Sequence, residues 1–234
     1  MTCLLALDAS TSACSAALVR RQTGQEDELL SRYALAPREH TQRLMPMVDE
    51  LLAEAGIDLS DIDALAYGRG PGSFTGLRIA AGVAQGLAFG LERPLVGVST
   101  LAALALGTHR RHGYRYLIPA LDARMGEIYV AAYDCGSGEP IALLEEAVLP
   151  PSALSLPPGM DDIEWIGVGS GWTLWEEMPP AVLAGIARHL VEPQPQAEDM
   201  ALLGLRQFEN GEGRPAHQVQ PIYLRDRVAW QKNR

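Results

Sequence analysis

The run Tyr67–Gly90, YGRGPGSFTGLRIAAGVAQGLAFG, restricts the fold more than any other stretch of this chain. It opens on Gly68-Arg69-Gly70-Pro71-Gly72-Ser73, where glycine permits backbone angles closed to other residues and proline fixes its own φ. Such a loop reads as a strand-to-helix turn. Ser73 or Thr75 then caps a helix that runs to about Gly90. On a 3.6-residue wheel Gly82, Gly86 and Gly90 share one stripe, flanked by Ile79, Val83 and Phe89. Leu77, Ala81, Ala84 and Ala88 lie opposite, and only Arg78 and Gln85 mark a polar edge. A soluble helix that is apolar nearly all round is buried on more than one side. Glycine at every fourth position also lets a second backbone come close. The helix is therefore expected to pack on its own sheet with one face and on another helix with the other. That second helix belongs either to this chain or to a partner.

Around this stretch the chain alternates strands and helices. Residues 3–8, CLLALD, form a short apolar run that ends in an acid, and Ala13–Val19 resumes the pattern after Ala9-Ser10-Thr11-Ser12, which predicts a β-hairpin. A third strand is expected at Glu28–Ala34. A helix follows from Arg38 to Ala55, closed by Gly56. Its apolar face centres on Leu44, Val48, Leu51 and Ala55. Met47 widens it on one edge and Thr41, Met45 and Leu52 on the other, giving an arc wider than the roughly 100° a surface helix needs. Strands are expected at Ile62–Ala66 and Leu95–Val98, and a third helix begins at Thr100–Leu106. A meander followed by crossover helices predicts a mixed sheet with helices on its faces. The second half opens in the same way. Tyr116–Leu121 ends in Asp122, turns at Ala123-Arg124-Met125-Gly126 and returns along Glu127–Tyr133, so an acid-ended strand and returning strand occur twice. A proline-rich connector (150–158), a strand at Trp165–Val168, a glycine turn through Gly167–Gly171 and a helix at Ala197–Asn210 complete the pattern. The tail from Pro221 carries Arg225, Arg227, Lys232 and Arg234 around Trp230, which fits contact with RNA by charge and stacking or, as the default, a solvated end.

With 234 residues and 47% apolar side chains, the chain can build a substantial core. Its net charge of −10 disfavours nonspecific binding of nucleic acid by the surface as a whole. Cys3, Cys14 and Cys135 form no CxxC pair, and Cys3 and Cys14 do not fall opposite each other in the expected hairpin, so a reduced, cytoplasmic protein is expected. No basic region precedes the first apolar run and Asp8 interrupts it, which argues against a signal peptide. The small-residue helix, with Arg78 and Gln85 inside it, is too short and polar to cross a bilayer.

Few residues invite chemistry. Asp8, Ser10 and Thr11 at the hairpin turn fit either an Asx turn or the acid-and-hydroxyl arrangement with which actin-like ATPases hold metal and phosphate. The Gly68–Ser73 loop before a helix fits an anion site or a tight packing turn. It has neither the Walker A lysine nor GxGxxG spacing. The five histidines show no metal-site spacing, Arg110, Arg111 and Arg115 surround His109 and His112, and Arg38-Glu39-His40 is expected to be solvated or capping. No nucleophile elbow or paired-carboxylate signature occurs.

Taken together, LALDASTSACSAAL, PREHTQRLMPMVDELL, ALAYGRGPGSFTGLRIAAGVAQGLAFG, PLVGVSTL and DARMGEIY resemble the TsaB (YeaZ) family over nearly the whole chain. The resemblance implies an α/β fold of two actin-like (ASKHA, ribonuclease-H-like) lobes, residues 1–107 and 108–234, with helix 197–210 packing back on the first. It implies a noncatalytic subunit that dimerises with TsaD in the bacterial complex placing threonylcarbamoyl on the adenosine after the anticodon of tRNAs reading ANN codons. TsaE is the ATPase partner, the isolated subunit forms homodimers, and tRNA is met only through the complex. No cofactor or metal is intrinsic; ATP and metal belong to partner subunits. TsaD carries two histidines four apart where this chain has Thr100 and Leu104, and neither side chain replaces imidazole as a ligand. The expected interface joins Thr41, Met45 and Leu52 to Ile79, Gly82, Val83, Gly86 and Phe89. The competing readings are a free-standing actin-like ATPase using Asp8, Ser10 and Thr11 and, more remotely, a metallopeptidase.

Overall fold

The computed structural model describes residues 1–160 and 162–225. Arg227, Trp230, Lys232 and Arg234 of the basic tail lie outside the described residues. The chain runs β1 (Thr2–Asp8), β2 (Ala13–Arg21), β3 (Glu28–Leu35), α1 (His40–Ala55), β4 (Ala64–Gly70), α2 (Phe74–Gly90), β5 (Leu95–Ser99) and α3 (Thr100–His112). It continues with β6 (Tyr116–Arg124), β7 (Glu127–Asp134), β8 (Ile141–Leu149), β9 (Trp165–Val168), α4 (Pro180–Gly185), β10 (Ile186–Leu190) and α5 (Ala197–Glu209).

Two five-stranded mixed sheets carry the lobes. The first is ordered β3-β2-β1-β4-β5 and the second β8-β7-β6-β9-β10, so each strand of one lobe has a counterpart in the other. In each, an antiparallel meander is joined to two parallel strands. The near-continuous apolar run of β1 follows from burial on both faces. Leu5 and Leu7 point into a core shared with Leu44, Val48, Leu51, Ala80 and Ala84 of α1 and α2, whereas Leu4 and Ala6 meet Met200, Ala201 and Leu205 of α5. Thus α5, although late in the chain, covers the far face of the first sheet. Trp165 and Trp172 fill the second lobe's own core.

Helix α3 joins the lobes. Leu101, Leu104 and Ala105 pack with Leu117, Leu121, Ile166 and Val168 of the second sheet, while Ala103 belongs to the first lobe's core. It runs unbroken through residues 107 and 108, where the lobes were expected to divide, because Gly113, in the left-handed region at φ 75°, is its stop. Gly56 ends α1 in the same way at φ 64°.

Several expectations need correction. β4 begins at Ala64 and continues through Gly68 and Gly70, so these glycines belong to a strand rather than to a loop. Strands β8 and β10 and helix α4 were not anticipated, and the proline connector holds a 3-10 turn at Pro151–Ala153. His40 is buried rather than solvated, its Nε2 3.0 Å from the Thr11 carbonyl oxygen, which pins the start of α1 to the β1–β2 turn.

Candidate functional site

The acid that ends β1 sits under the glycine loop. Asp8 has no solvent exposure. Its Oδ2 accepts from Ser10 Oγ at 3.0 Å and its Oδ1 from the Ser10 N–H at 3.2 Å. Thr11 Oγ1 accepts the Ala13 N–H at 3.2 Å, closing the turn locally. The glycines from the end of β4 to the start of α2 are shaped by this turn. A β-carbon at Gly68 would stand 2.2 Å from Asp8 Oδ1, one at Gly72 2.4 Å from the Ser10 carbonyl oxygen, and one at Gly76 1.8 Å from that of Ala9. The Ser73 N–H donates to the Ser10 carbonyl at 2.7 Å, and the Met200 methyl of α5 lies 3.1 Å from the same point above Gly68. Burial pushes the Asp8 carboxyl up to about 7, against the opposing pull of the Ser10 hydrogen bonds. Asp8, Ser10 and Thr11 are thus brought together, with Asp8 and Ser10 sealed and Thr11 half-buried.

The second feature is the outer face of α2. Ser73 caps the helix, its Oγ accepting from the Gly76 N–H at 3.3 Å. Leu77, Ala80, Ala81, Ala84 and Ala88 point to the sheet. Gly82, Gly86 and Gly90 point outward, and among the described residues no other group lies within 4 Å of where their β-carbons would be. Phe89 beside them is 77% exposed, and Ile79 and Val83 are half-buried. From α1, Thr41 is exposed and Met45 half-buried. Leu52 is not on this face: at 7% exposure it belongs to the core with Leu51 and Val48, because the turn after Gly56 folds over it.

Two aromatic residues at the start of α2 escaped the sequence reading. Phe74 is 53% exposed and continues the stripe, since 74, 78, 82, 86 and 90 are each four apart. Extending the wheel one turn would have found it. The Arg78 guanidinium lies 3.6 Å from the Phe74 ring centre, and its Nε donates to Tyr223 Oη at 3.1 Å. Tyr223, 145 residues further on, had no sequence signal. Gln85 turns away from the stripe and donates to the carbonyls of Ala216 and Val219 at 3.4 and 2.7 Å.

The remaining candidates hold structure. Thr100 and Leu104 are fully buried, Leu104 in the seam between α3 and the second sheet. His109 Nδ1 contacts the Tyr114 carbonyl oxygen at 2.8 Å. Arg110 and Arg111 contact buried Asp199 at 2.7 and 3.4 Å. The expected glycine turn starts later than Gly167, which lies in β9, and its glycines are packed: a β-carbon at Gly167 would meet the Trp172 indole at 2.4 Å, and one at Gly169 the Ala120 carbonyl oxygen at 2.5 Å. Among the described residues, no group of three or more His, Cys, Asp and Glu could hold a metal, and no helix is long and apolar enough to cross a membrane.

Residues 32–231 match the family described as TsaD, tRNA N6-adenosine threonylcarbamoyltransferase. The chain is 43% identical to the tRNA threonylcarbamoyladenosine biosynthesis protein TsaB of Escherichia coli, covering 98% of this chain and 97% of that one. It is 30% identical to the protein of the same name from Bacillus subtilis, over 95% and 93% of the two chains. Among solved structures, YeaZ from Pseudomonas aeruginosa superposes with a TM-score of 0.87 at 46% identity, covering 96% of this chain and all of that one.

Proposed function

The chain belongs to the TsaB family of tRNA threonylcarbamoyladenosine biosynthesis proteins, and from that membership and the bare face of α2 we propose that it is the noncatalytic subunit that supports TsaD by dimerising with it. The observation that carries the reading is the outward stripe of Gly82, Gly86 and Gly90, beside exposed Phe89. Glycine costs roughly 1 kcal/mol relative to alanine in a helix interior. Three of them on a face that none of the described residues covers favour the close approach of another backbone. Ile79 and Val83 of the same helix, both half-buried, and Thr41 and Met45 of α1, exposed and half-buried, are proposed to complete the interface. A helix of TsaD is the proposed occupant, and a second copy of this chain takes its place in isolation. TsaE joins the assembled pair, and tRNA, ATP and metal are met through the partner subunits. Thr100 and Leu104 stand where TsaD-type ligands are expected, and neither carries a metal-binding nitrogen.

The test is co-purification with TsaD. Gly86→Leu fills the stripe and Met45→Asp places a charge at its border, and each is expected to abolish binding while the monomer stays folded. Normal binding by both variants would move the interface elsewhere. Reconstituting the tRNA modification with and without this chain then measures its contribution. The ATPase reading rests on Asp8, Ser10 and Thr11, and predicts micromolar ATP binding by the isolated protein that Asp8→Ala removes. The closed packing of Gly68, Gly72 and Gly76 over that turn favours the scaffold instead. The peptidase reading has no residue set in its favour.

A further inference from the structure

We propose that residues 214–225 form a clasp that holds the two lobes shut across the cleft between them. The segment starts as an added rung on the first sheet: the Arg214 N–H donates to the Leu95 carbonyl at 3.0 Å, and the Leu95 N–H donates back to that of Arg214 at 2.8 Å. Gln85 then holds the Ala216 and Val219 carbonyls against α2. The Ile222 N–H donates to the Arg69 carbonyl at 2.8 Å. Gly70, at φ 109°, leaves room for the strap, since a β-carbon there would lie 2.9 Å from the Ile222 carbonyl oxygen. Tyr223 packs on Phe74, with ring centres 5.5 Å apart. Two residues later the strap is on the other lobe. Arg225 Nη2 donates to the Arg124 carbonyl at 3.3 Å and to Glu127 at the tip of the β6–β7 hairpin, and Nη1 lies 3.5 Å from Met125 Sδ.

Against the strap lies a cavity of about 340 Å³ lined from both lobes, by Arg69 of the first and Tyr133, Leu144 and Glu146 of the second, with Ile222 and Leu224 of the strap completing the lining. A second tie crosses its floor. Glu146 of β8 accepts from both terminal nitrogens of Arg69, at 3.2 and 3.4 Å, and from Ser99 Oγ. Ser99 Oγ also accepts the Ala102 N–H at 3.0 Å, capping α3. Arg69 therefore serves both ties, its side chain bound to the floor and its carbonyl to the strap. Each tie exists only in the closed arrangement. An opened cleft would lose a partly buried ion pair below and a charge-assisted contact above, and these losses bias the equilibrium toward closure. The strap ends its first-lobe path on Phe74 and Arg78, so the closed state also fixes the N-terminal end of the α2 stripe. The clasp itself does not depend on what binds that stripe.

Hydrogen exchange of the full-length chain, read by mass spectrometry, tests this. Arg225→Glu puts two acids at the tip, and exchange over residues 69–73 and 141–149 is expected to rise at least about tenfold, the scale of one lost charge-assisted hydrogen bond. Exchange in β1 and β2 is expected to stay as it is. Glu146→Gln, which loosens the floor alone, should raise exchange over the same two segments. Unchanged exchange at 141–149 in folded Arg225→Glu overturns the clasp. If that variant unfolds, Tyr223→Ala decides by the same readout: faster exchange at 141–149 supports the clasp and unchanged exchange overturns it.

Discussion

Asp8 and Asp122 hold matching places in the two sheets, near the ends of β1 and β6, yet Asp8 is fully buried while the Asp122 side chain is 35% exposed. In the first lobe, the end of β4, the loop after it and the first turn of α2 lie across Asp8 and the turn that follows it, with Gly68 against the Asp8 carboxyl, Gly72 against Ser10 and Gly76 against Ala9. In the second, Gly167 of β9 takes in Trp172, Gly169 and Gly171 after it meet Ala120 and Leu121, and Asp122 is left to bind its neighbour Arg124. The elements that follow also diverge. The first lobe continues into the 17-residue α2 with a bare face. The second continues into a 3-10 segment, Ser170–Glu177, whose Trp172 and Trp175 fold back on their own lobe, and then into the six-residue α4. One strand order thus supports opposite uses of the same crossover: glycines that seal an acid and present a helix, against glycines that admit an indole.

The sharpest way to break this contrast is to give the glycines side chains. Gly76→Ala drives a β-carbon into the Ala9 carbonyl and should cost more than about 4 kcal/mol, whereas Gly171→Ala, 2.8 Å from the Ala120 methyl, should cost about 1–3 kcal/mol. Thermal unfolding of the two variants would rank them, and equal losses would erase the distinction.

Next in size is a pH effect. Because the folded carboxyl of Asp8 is raised to about 7, the folded state keeps a proton that the unfolded chain gives up above about 4. Stability from this group is therefore full at low pH, declines between about pH 4 and 7, and is level above that. The total is on the order of 4 kcal/mol. Asp8→Asn cannot ionise, so its stability relative to the parent should grow from pH 4 to pH 8 in urea unfolding. A constant difference would mean that Asp8 is more hydrated than its burial implies.

Smaller still, Ser73→Ala removes the α2 cap and should cost about 1 kcal/mol. Gly86→Ala, with open space around it, should raise stability by about 0.5–1 kcal/mol through helix propensity alone. A loss at Gly86 in place of that gain would show that its face is already covered in the isolated chain.

Elements whose partners are close in sequence were legible in advance. The β1–β2 hairpin, both ends of α2, the Gly56 stop of α1 and the repeated acid-ended strand all announce themselves through period, caps and turns. The edge strands of the second sheet were not, unlike β3 and β5 at the edges of the first. β8, IALLEEAVL, carries two glutamates at the margin of its sheet, and β10 is a five-residue strand directly after a short helix. Neither has the alternation of a strand with one clean buried face. At the site, the outward α2 glycines were readable from the wheel, whereas Gly68 and Gly70 looked like a loop though they end β4, because what packs against Gly68, the Asp8 carboxyl, is some sixty residues away. Leu52 was misplaced for a similar reason: the segment that covers it folds back only after the helix has ended. His40 looked solvated because its partner, the Thr11 carbonyl, belongs to a different element.

The position of α5 has a consequence for how the protein is made. The first lobe buries Leu4, Ala6, Ala66 and Val98 only when Met200, Ala201 and Leu205 arrive, and the Ala197 N–H must find Ser15 Oγ, 182 residues away. At the usual 5–20 residues per second, a ribosome that has finished β5 needs roughly another 5–20 s to supply that helix. During this interval one face of the first sheet stays open while the strands of the second lobe emerge. The half that is synthesised first is thus completed last, and a nascent-chain chaperone would find its apolar target on the N-terminal sheet until the final helix closes it.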